Sequence, residues 1–381
     1  MAKPMRKVLA VAALAPVALL AACGSSGAST ANSSSTGSSS AAAQSMVGPA
    51  LPTAPPSGDV SITETGSSLL FPLISTWASD YQKLYANLTI TTGATGSGTG
   101  IADATSGTVD IGASDAYLPP SVTSQKPSLE NIALAISAQQ INYNLPGVKK
   151  LNLNGTVLAK IYDGKVTKWN DPAIAKLNPG VSLPALKIVT VHRSDSSGDT
   201  FLFTSYLNAQ DPADWASSNV GTSVNFPAVA GQVGAQGNGG MVQACAANKG
   251  CIAYIGVSYL AKTGAAGLGE AYVANGSGKF VQPDAKTIAA GAAGFISKTP
   301  PSTTISMING PAADGYPIIN YEYAIVNTAQ SDATKAEAIR AFLHWAVHAG
   351  NAGSYLGAVD FQPLPSSVAT LSDNLIAKIG A

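Results

Sequence analysis

Val191-His192-Arg193-Ser194-Asp195-Ser196-Ser197-Gly198-Asp199-Thr200-Phe201 joins two segments of opposite character. Before it, Leu186-Lys187-Ile188-Val189-Thr190 is an apolar run of strand type. After it, Thr200-Phe201-Leu202-Phe203-Thr204-Ser205-Tyr206-Leu207 reads as the first turns of a helix. Strands alternating with helices through such loops define an α/β fold. The loop holds one guanidinium, three serine hydroxyls, a glycine and two carboxylates. Unpaired N–H groups at a helix start attract anions, and glycine lets an anion approach the backbone. Arg193 adds a planar charge suited to a tetrahedral oxyanion. The carboxylates narrow the choice, because an acceptor-only group faces an oxyanion favourably only if the oxyanion carries a proton. Phosphate does so at neutral pH; sulfate does not.

The same strand–loop–helix pattern occurs twice more. Val60-Ser61-Ile62-Thr63-Glu64 reads as a strand running into Thr65-Gly66-Ser67-Ser68-Leu69-Leu70-Phe71-Pro72, with a helix from about Pro72 to Tyr85. Leu88-Thr89-Ile90-Thr91-Thr92 is a second strand, followed by Gly93-Ala94-Thr95-Gly96-Ser97-Gly98-Thr99-Gly100. Asp115 ends the strand-like stretch Val109-Asp110-Ile111-Gly112-Ala113-Ser114. Each loop alone is an ordinary turn. Together they supply what a dehydrated oxyanion needs.

In their order, Thr65-Gly66-Ser67-Ser68…Phe71-Pro72, Gly96-Ser97-Gly98, Gly112-Ala113-Ser114-Asp115 and Arg193-Ser194-Asp195-Ser196-Ser197-Gly198-Asp199-Thr200-Phe201 resemble the PstS family, the substrate-binding proteins of phosphate ABC transporters. Ile161-Tyr162-Asp163-Gly164-Lys165-Val166-Thr167-Lys168-Trp169-Asn170-Asp171-Pro172 and Leu177-Asn178-Pro179-Gly180 fit the same family. The resemblance runs from about Ser61 to Ala381 and is nearest the mycobacterial and actinobacterial lipoproteins. It implies a two-lobed periplasmic-binding-protein fold, type II-like, with the ligand in the inter-lobe cleft. Lobe I would combine residues 58–138 with 322–381, and lobe II would span 139–321. The crossings would be Ile136–Tyr143 and Ile318–Ala324, with binding closing the cleft by a hinge motion.

The resemblance also implies a phosphate-binding set: the backbone of Leu70 and Phe71, Ser97, Asp115, Arg193, Ser197, Gly198 and Asp199, with Asp195 orienting Arg193 from behind. Two positions depart from the enteric pattern, which has threonine where Leu70 and Asp199 stand. The first loses a hydroxyl donor, and the second turns a donor into an acceptor. If Asp199 contacts the ligand, dihydrogen phosphate is required; the alternative is that Asp199 caps its own helix.

Lys3, Arg6 and Lys7 precede an apolar run from Val8 to Leu20, and Leu20-Ala21-Ala22-Cys23 follows. That is a secretory signal, too short to span a membrane. It ends in a bacterial lipobox, so residues 1–22 would be removed and Cys23 lipidated. Residues 24–57 are almost all Ser, Ala, Gly, Thr and Pro. They form, with Cys23, a tether of roughly 30 Å reach. The expected product is a monomer held at the outer face of the cell membrane by its lipid, delivering phosphate to permease subunits.

About 320 residues beyond the tether suffice for two cored domains. The chain has 21 basic and 21 acidic side chains, and losing Lys3, Arg6 and Lys7 leaves 18 against 21. Net charge thus opposes anion capture, the attracting field must be local, and no basic stripe suggests nucleic acid. Cys245 and Cys251 are expected to form a disulfide, the default for an exported protein. No cofactor is implied.

Other chemistries fit poorly. His344 and His348 have the i, i+4 spacing of zinc ligands, but Trp345 stands where His-Glu-x-x-His has glutamate. They are expected to flank one face of a helix from about Thr334 to Ala349, without a metal. An envelope phosphoesterase or other hydrolase using Ser197 is the runner-up, and a surface adhesin with a vestigial site is a third reading. His192 would be the hydrolase's base, yet neighbours on a strand point to opposite faces, turning His192 away from the loop.

Overall fold

The computed structural model describes residues 50–381, so the signal, Cys23 and most of the tether lie outside the described residues. Among the described residues, twelve strands form two sheets. The main sheet holds β1 (Val60–Gly66), β2 (Leu88–Thr91), β3 (Ile111–Ser114), β4 (Leu129–Tyr143), β6 (Val189–Arg193), β7 (Val233–Ala235), β8 (Cys251–Gly256), β9 (Gly269–Glu270) and β12 (Ile319–Asn327). A small sheet holds β5 (Asn152–Leu153), β10 (Tyr272–Ala274) and β11 (Phe280–Val281).

The main sheet runs β2-β1-β3-β12-β4-β8-β6-β7, with β9 also on β4. On one side β2, β1 and β3 are mutually parallel, and on the other β8, β6 and β7 are parallel. Two antiparallel strands lie between them. β4 pairs with β12 from Leu129 to Ala138, then with β8 from Gln139 to Tyr143. Its fifteen residues are buried almost throughout, as expected of a strand covered on both faces. β12 carries a register shift between Glu322 and Tyr323, a bulge that re-aims side chains beside the cleft.

The anticipated units form with small displacements. The first helix is Phe71–Leu84, with Pro72 in its first turn, where a missing N–H costs nothing. The second is Ser97–Ser106, and the arginine loop opens Gly198–Gln210. The strand anticipated at Leu186–Thr190 lies at β6, later by about a turn of the loop, because its ladder partners begin at Cys251 and Val233. Gly66 has φ +145°, and a side chain there would meet Ala113 O at 2.0 Å. Only glycine fits where β1 leaves the sheet.

Apolar faces of the helices cover both sheet faces, and Trp77, Tyr81, Trp169 and Phe342 are fully buried. Cys245, in the helix Gly237–Ala247, is disulfide-bonded to Cys251 at the start of β8, as anticipated. Among the described residues no helix is long and apolar enough to cross a membrane.

Candidate functional site

The site assembles where the chain leaves the ends of β1, β3 and β6. Arg193 is the last residue of β6, and its side chain is 1% exposed. Nε donates to Asp195 Oδ1 at 2.7 Å and Nη2 donates to Asp195 Oδ2, a two-pronged pair. Nη1 donates to Asp199 Oδ2 at 2.7 Å. Asp195 thus orients Arg193, as anticipated. Of the five guanidinium N–H groups, three are spent, leaving one on each terminal nitrogen. Burial works against the arginine's charge, but the Asp195 bond and the charges of Asp199 and Asp195 more than offset it, and its pKa is raised. Burial likewise opposes the charge of Asp195, which Arg193 nonetheless holds below the ordinary carboxyl value.

The alternative reading, that Asp199 caps its own helix, does not hold. Its side chain makes no bond to the backbone of its own helix. Oδ2 accepts from Arg193 and from Asn238 Nδ2 at 2.8 Å, and Oδ1 accepts from Gln139 Nε2 at 3.1 Å. The group is fully buried. Burial first and the charge of Asp115 second raise its pKa to about 7.

Asp115 faces this cluster from the end of β3. Ser67 Oγ donates to Asp115 Oδ1, and Ser97 Oγ to Oδ2 at 3.3 Å. Behind it lies Glu322, also fully buried, whose Oε1 accepts from Ser137 Oγ and from Asn320 Nδ2 at 3.0 Å. Glu322 Oε2 receives no donor. Burial first, then the neighbouring Asp115, push the Glu322 pKa well up. Burial raises the Asp115 pKa, while the Glu322, Ser67 and Ser97 bonds and the charge of Arg193 lower it.

The two sides of the cleft touch. Gly98 N donates to Ser196 O at 3.0 Å, and Ser258 Oγ to Leu69 O at 2.7 Å. Asn238 donates to Ser68 Oγ through both its backbone N and Nδ2, each at 3.0 Å. A Cβ built on Gly198 would lie 2.6 Å from Asp115 Cβ and 2.7 Å from Ser97 Oγ.

All the anticipated residues therefore converge, with differing duties. Ser97 is hydrogen-bonded to Asp115, Gly198 packs against both, Arg193 is paired with Asp199, and Ser197 Oγ is buried without a partner. Leu70 and Phe71 sit at the start of the first helix, where their N–H groups donate to Ser67 Oγ at 2.9 Å and Ser67 O at 3.0 Å. Ser67, Ser68, Gln139, Asn238 and Glu322 were not anticipated as site residues. Asn238 carries the clearest missed signal: Val233–Ala235 and the helix Gly237–Ala247 flank a fourth glycine-rich helix start. Gln139 and Glu322 lie within the two anticipated crossings. His192 packs on Phe226, ring centroids 4.9 Å apart, turned from the loop as expected.

A buried arginine between two carboxylates, facing a third across touching loops in an α/β frame, defines a solute-binding cleft. Residues 30–349 match the PBP superfamily domain. A solved phosphate-binding protein from Stenotrophomonas maltophilia shares the fold at a TM-score of 0.61 and 21% identity, over 81% of this chain and 92% of that one. The fold is thus the two-lobed one expected from sequence. The phosphate-binding protein PstS of Xylella fastidiosa is 34% identical over 83% of this chain and 86% of its own length. A PstS protein of Mycobacterium leprae is 30% identical over 83% and 87%. This chain belongs to the PstS phosphate-binding protein family.

Proposed function

We propose that this chain captures inorganic phosphate in the cleft between Asp115 and Arg193 and hands it to the permease subunits of an ABC-type phosphate importer. The observation that carries the reading is Arg193: fully buried, fixed by Asp195 and Asp199, with two N–H groups unspent beside Asp115. Ser97, Ser197, Gly198 and the Leu70–Phe71 backbone complete the proposed ligand set around it, the Leu70 and Phe71 N–H groups exchanging their bonds to Ser67 for the anion. Residues 58–138 with 322–381 serve as one lobe, and 139–321 as the other. Cys23 is the lipid anchor holding a monomer at the outer face of the membrane, and Asp199, standing where the enteric pattern has threonine, supports placement in the mycobacterial branch.

The bonds of Asp199 to Arg193, Asn238 and Gln139 satisfy both its oxygens within the protein. The ligand then has only Asp115 to satisfy, which favours monohydrogen phosphate over the dihydrogen form that direct contact with Asp199 requires. A hydrolase reading gains no support from His192, which rests on Phe226.

Calorimetry on the full chain with phosphate, arsenate, sulfate and molybdate tests the proposal. Phosphate is expected to bind tightly, with arsenate close behind. Sulfate should be weaker by several kcal/mol, the cost of an unpaired buried acceptor facing an anion without a proton. Equal affinity for sulfate and phosphate at neutral pH overturns it.

A further inference from the structure

The helix Ala333–Val347 ends with His344 in its last turn and His348 as its cap. One turn apart, they share a helix face, and their ring centroids are 4.5 Å apart. The helix Ser366–Ile376 brings Asp373 against both. Its Oδ1 lies 2.9 Å from His344 Nδ1 and its Oδ2 2.9 Å from His348 Nε2. Ligand atoms from all three residues lie within 4.8 Å of one another. None of the three hydrogen-bonds a residue of the phosphate cleft.

We propose that His344, His348 and Asp373 bind a first-row divalent transition metal ion such as Zn²⁺. Two imidazoles and one carboxylate suit zinc, cobalt, nickel or ferrous iron, whereas magnesium and calcium prefer oxygen alone. Metal–ligand bonds of about 2.0–2.2 Å place ligand atoms roughly 3.4 Å apart in a tetrahedral site. The contacts end on different oxygens of Asp373, so the carboxylate must turn to present one of them, and the histidine–carboxylate separations open by about half an ångström, both within reach of side-chain rotation. The side chains are 25%, 45% and 14% exposed, which leaves an entry path and a fourth position for water. The carboxyl end of a helix favours a cation. Bound there, the ion ties the helix Ser366–Ile376 to the helix Ala333–Val347.

The test is equilibrium dialysis of Zn²⁺ and Co²⁺, with Mg²⁺ as control, on the full chain without a histidine tag in phosphate-free buffer. One equivalent of Zn²⁺ or Co²⁺ is expected, and excess Zn²⁺ should raise the melting temperature by about 3–6 °C. His348→Ala, at an exposed side chain, and Asp373→Asn should each weaken binding at least tenfold. Tetrahedral Co²⁺ should give visible absorption that His348→Ala abolishes. The chain has only one other histidine, His192, so a competing imidazole pair is absent. Failure to bind one equivalent, or binding indifferent to both substitutions, overturns the site.

Discussion

Gly198→Ala separates closing of the cleft from stability of the fold. Gly198 is the first residue of its helix, so once the expected hinge opens the empty cleft, alanine is conformationally welcome and should stabilise the ligand-free protein by about 0.5–1 kcal/mol. The added methyl, however, would sit 2.6 Å from Asp115 Cβ and Oδ2 and 2.7 Å from Ser97 Oγ. Carbon contacts settle at about 3.5–4.0 Å, so the facing loops must part by about 1 Å. The Gly98–Ser196 bond of 3.0 Å and the Ser68–Asn238 bonds of 3.0 Å span the same gap and would then be lost. Overpacking of this kind costs about 1–3 kcal/mol, which corresponds to roughly 5- to 150-fold weaker binding. Calorimetry with phosphate and thermal unfolding without it measure the two effects separately. Weaker binding with equal or higher melting temperature is the expected pair. Phosphate affinity within twofold of wild type would refute the idea that the loops must meet around the ligand.

Arg193→Ala should weaken phosphate binding by roughly 2–5 kcal/mol, because it removes the buried cation and strands Asp195 and Asp199; binding within threefold of wild type by calorimetry would exclude Arg193 as a ligand. Asp199, with its pKa near 7, gains a proton as pH falls through that value, removing a negative charge beside the anion. The affinity ratio of wild type to Asp199→Asn should therefore rise as pH drops from about 8 to 6, the ligand's own titration cancelling; a constant ratio counts against this. Glu64 is buried, with only a 3.4 Å bond from Gly93 N, and burial raises its pKa from 4.5 to about 8. Its folded pKa exceeds its unfolded one, so its stability contribution is complete below about 4.5 and is lost as pH rises through about 8. Glu64→Gln should flatten that loss, gaining a few kcal/mol at pH 9 at ~1.4 kcal/mol per pH unit, as read by denaturant unfolding across pH.

What could be read from sequence was local. Strand, glycine loop and helix start lie within a dozen residues of each other in the arginine segment, and the disulfide closes between Cys245 and Cys251. What escaped is what distant segments decide. Ser68 meets Asn238 across 170 positions, Gln139 meets Asp199 across 60, and Asn320 reaches the Asp115 carbonyl across 205. Asp199 shows why chemistry alone could not choose. The helix cap was a sound local reading, but a buried guanidinium six residues earlier wins over a backbone N–H for a carboxylate. The helix face carrying His344 and His348 was equally readable, whereas Asp373 arrives on another helix.

Gln139 is the residue at which β4 exchanges β12 for β8, so the main sheet is stitched across its midline by one uninterrupted strand. Two halves on loose cords could wander in any direction. Were the two proposed lobes to move, a hydrogen-bonded ribbon between them would act like a leaf spring, easier to twist than to slide. Gln139 is also tethered to the site, its amide to Asp199 and its carbonyl to Tyr316 Oη at 2.7 Å. The pivot and the grip thus share a bolt. Opposing loops arrive already aligned, so little orientational freedom remains to be lost when a small anion is seized.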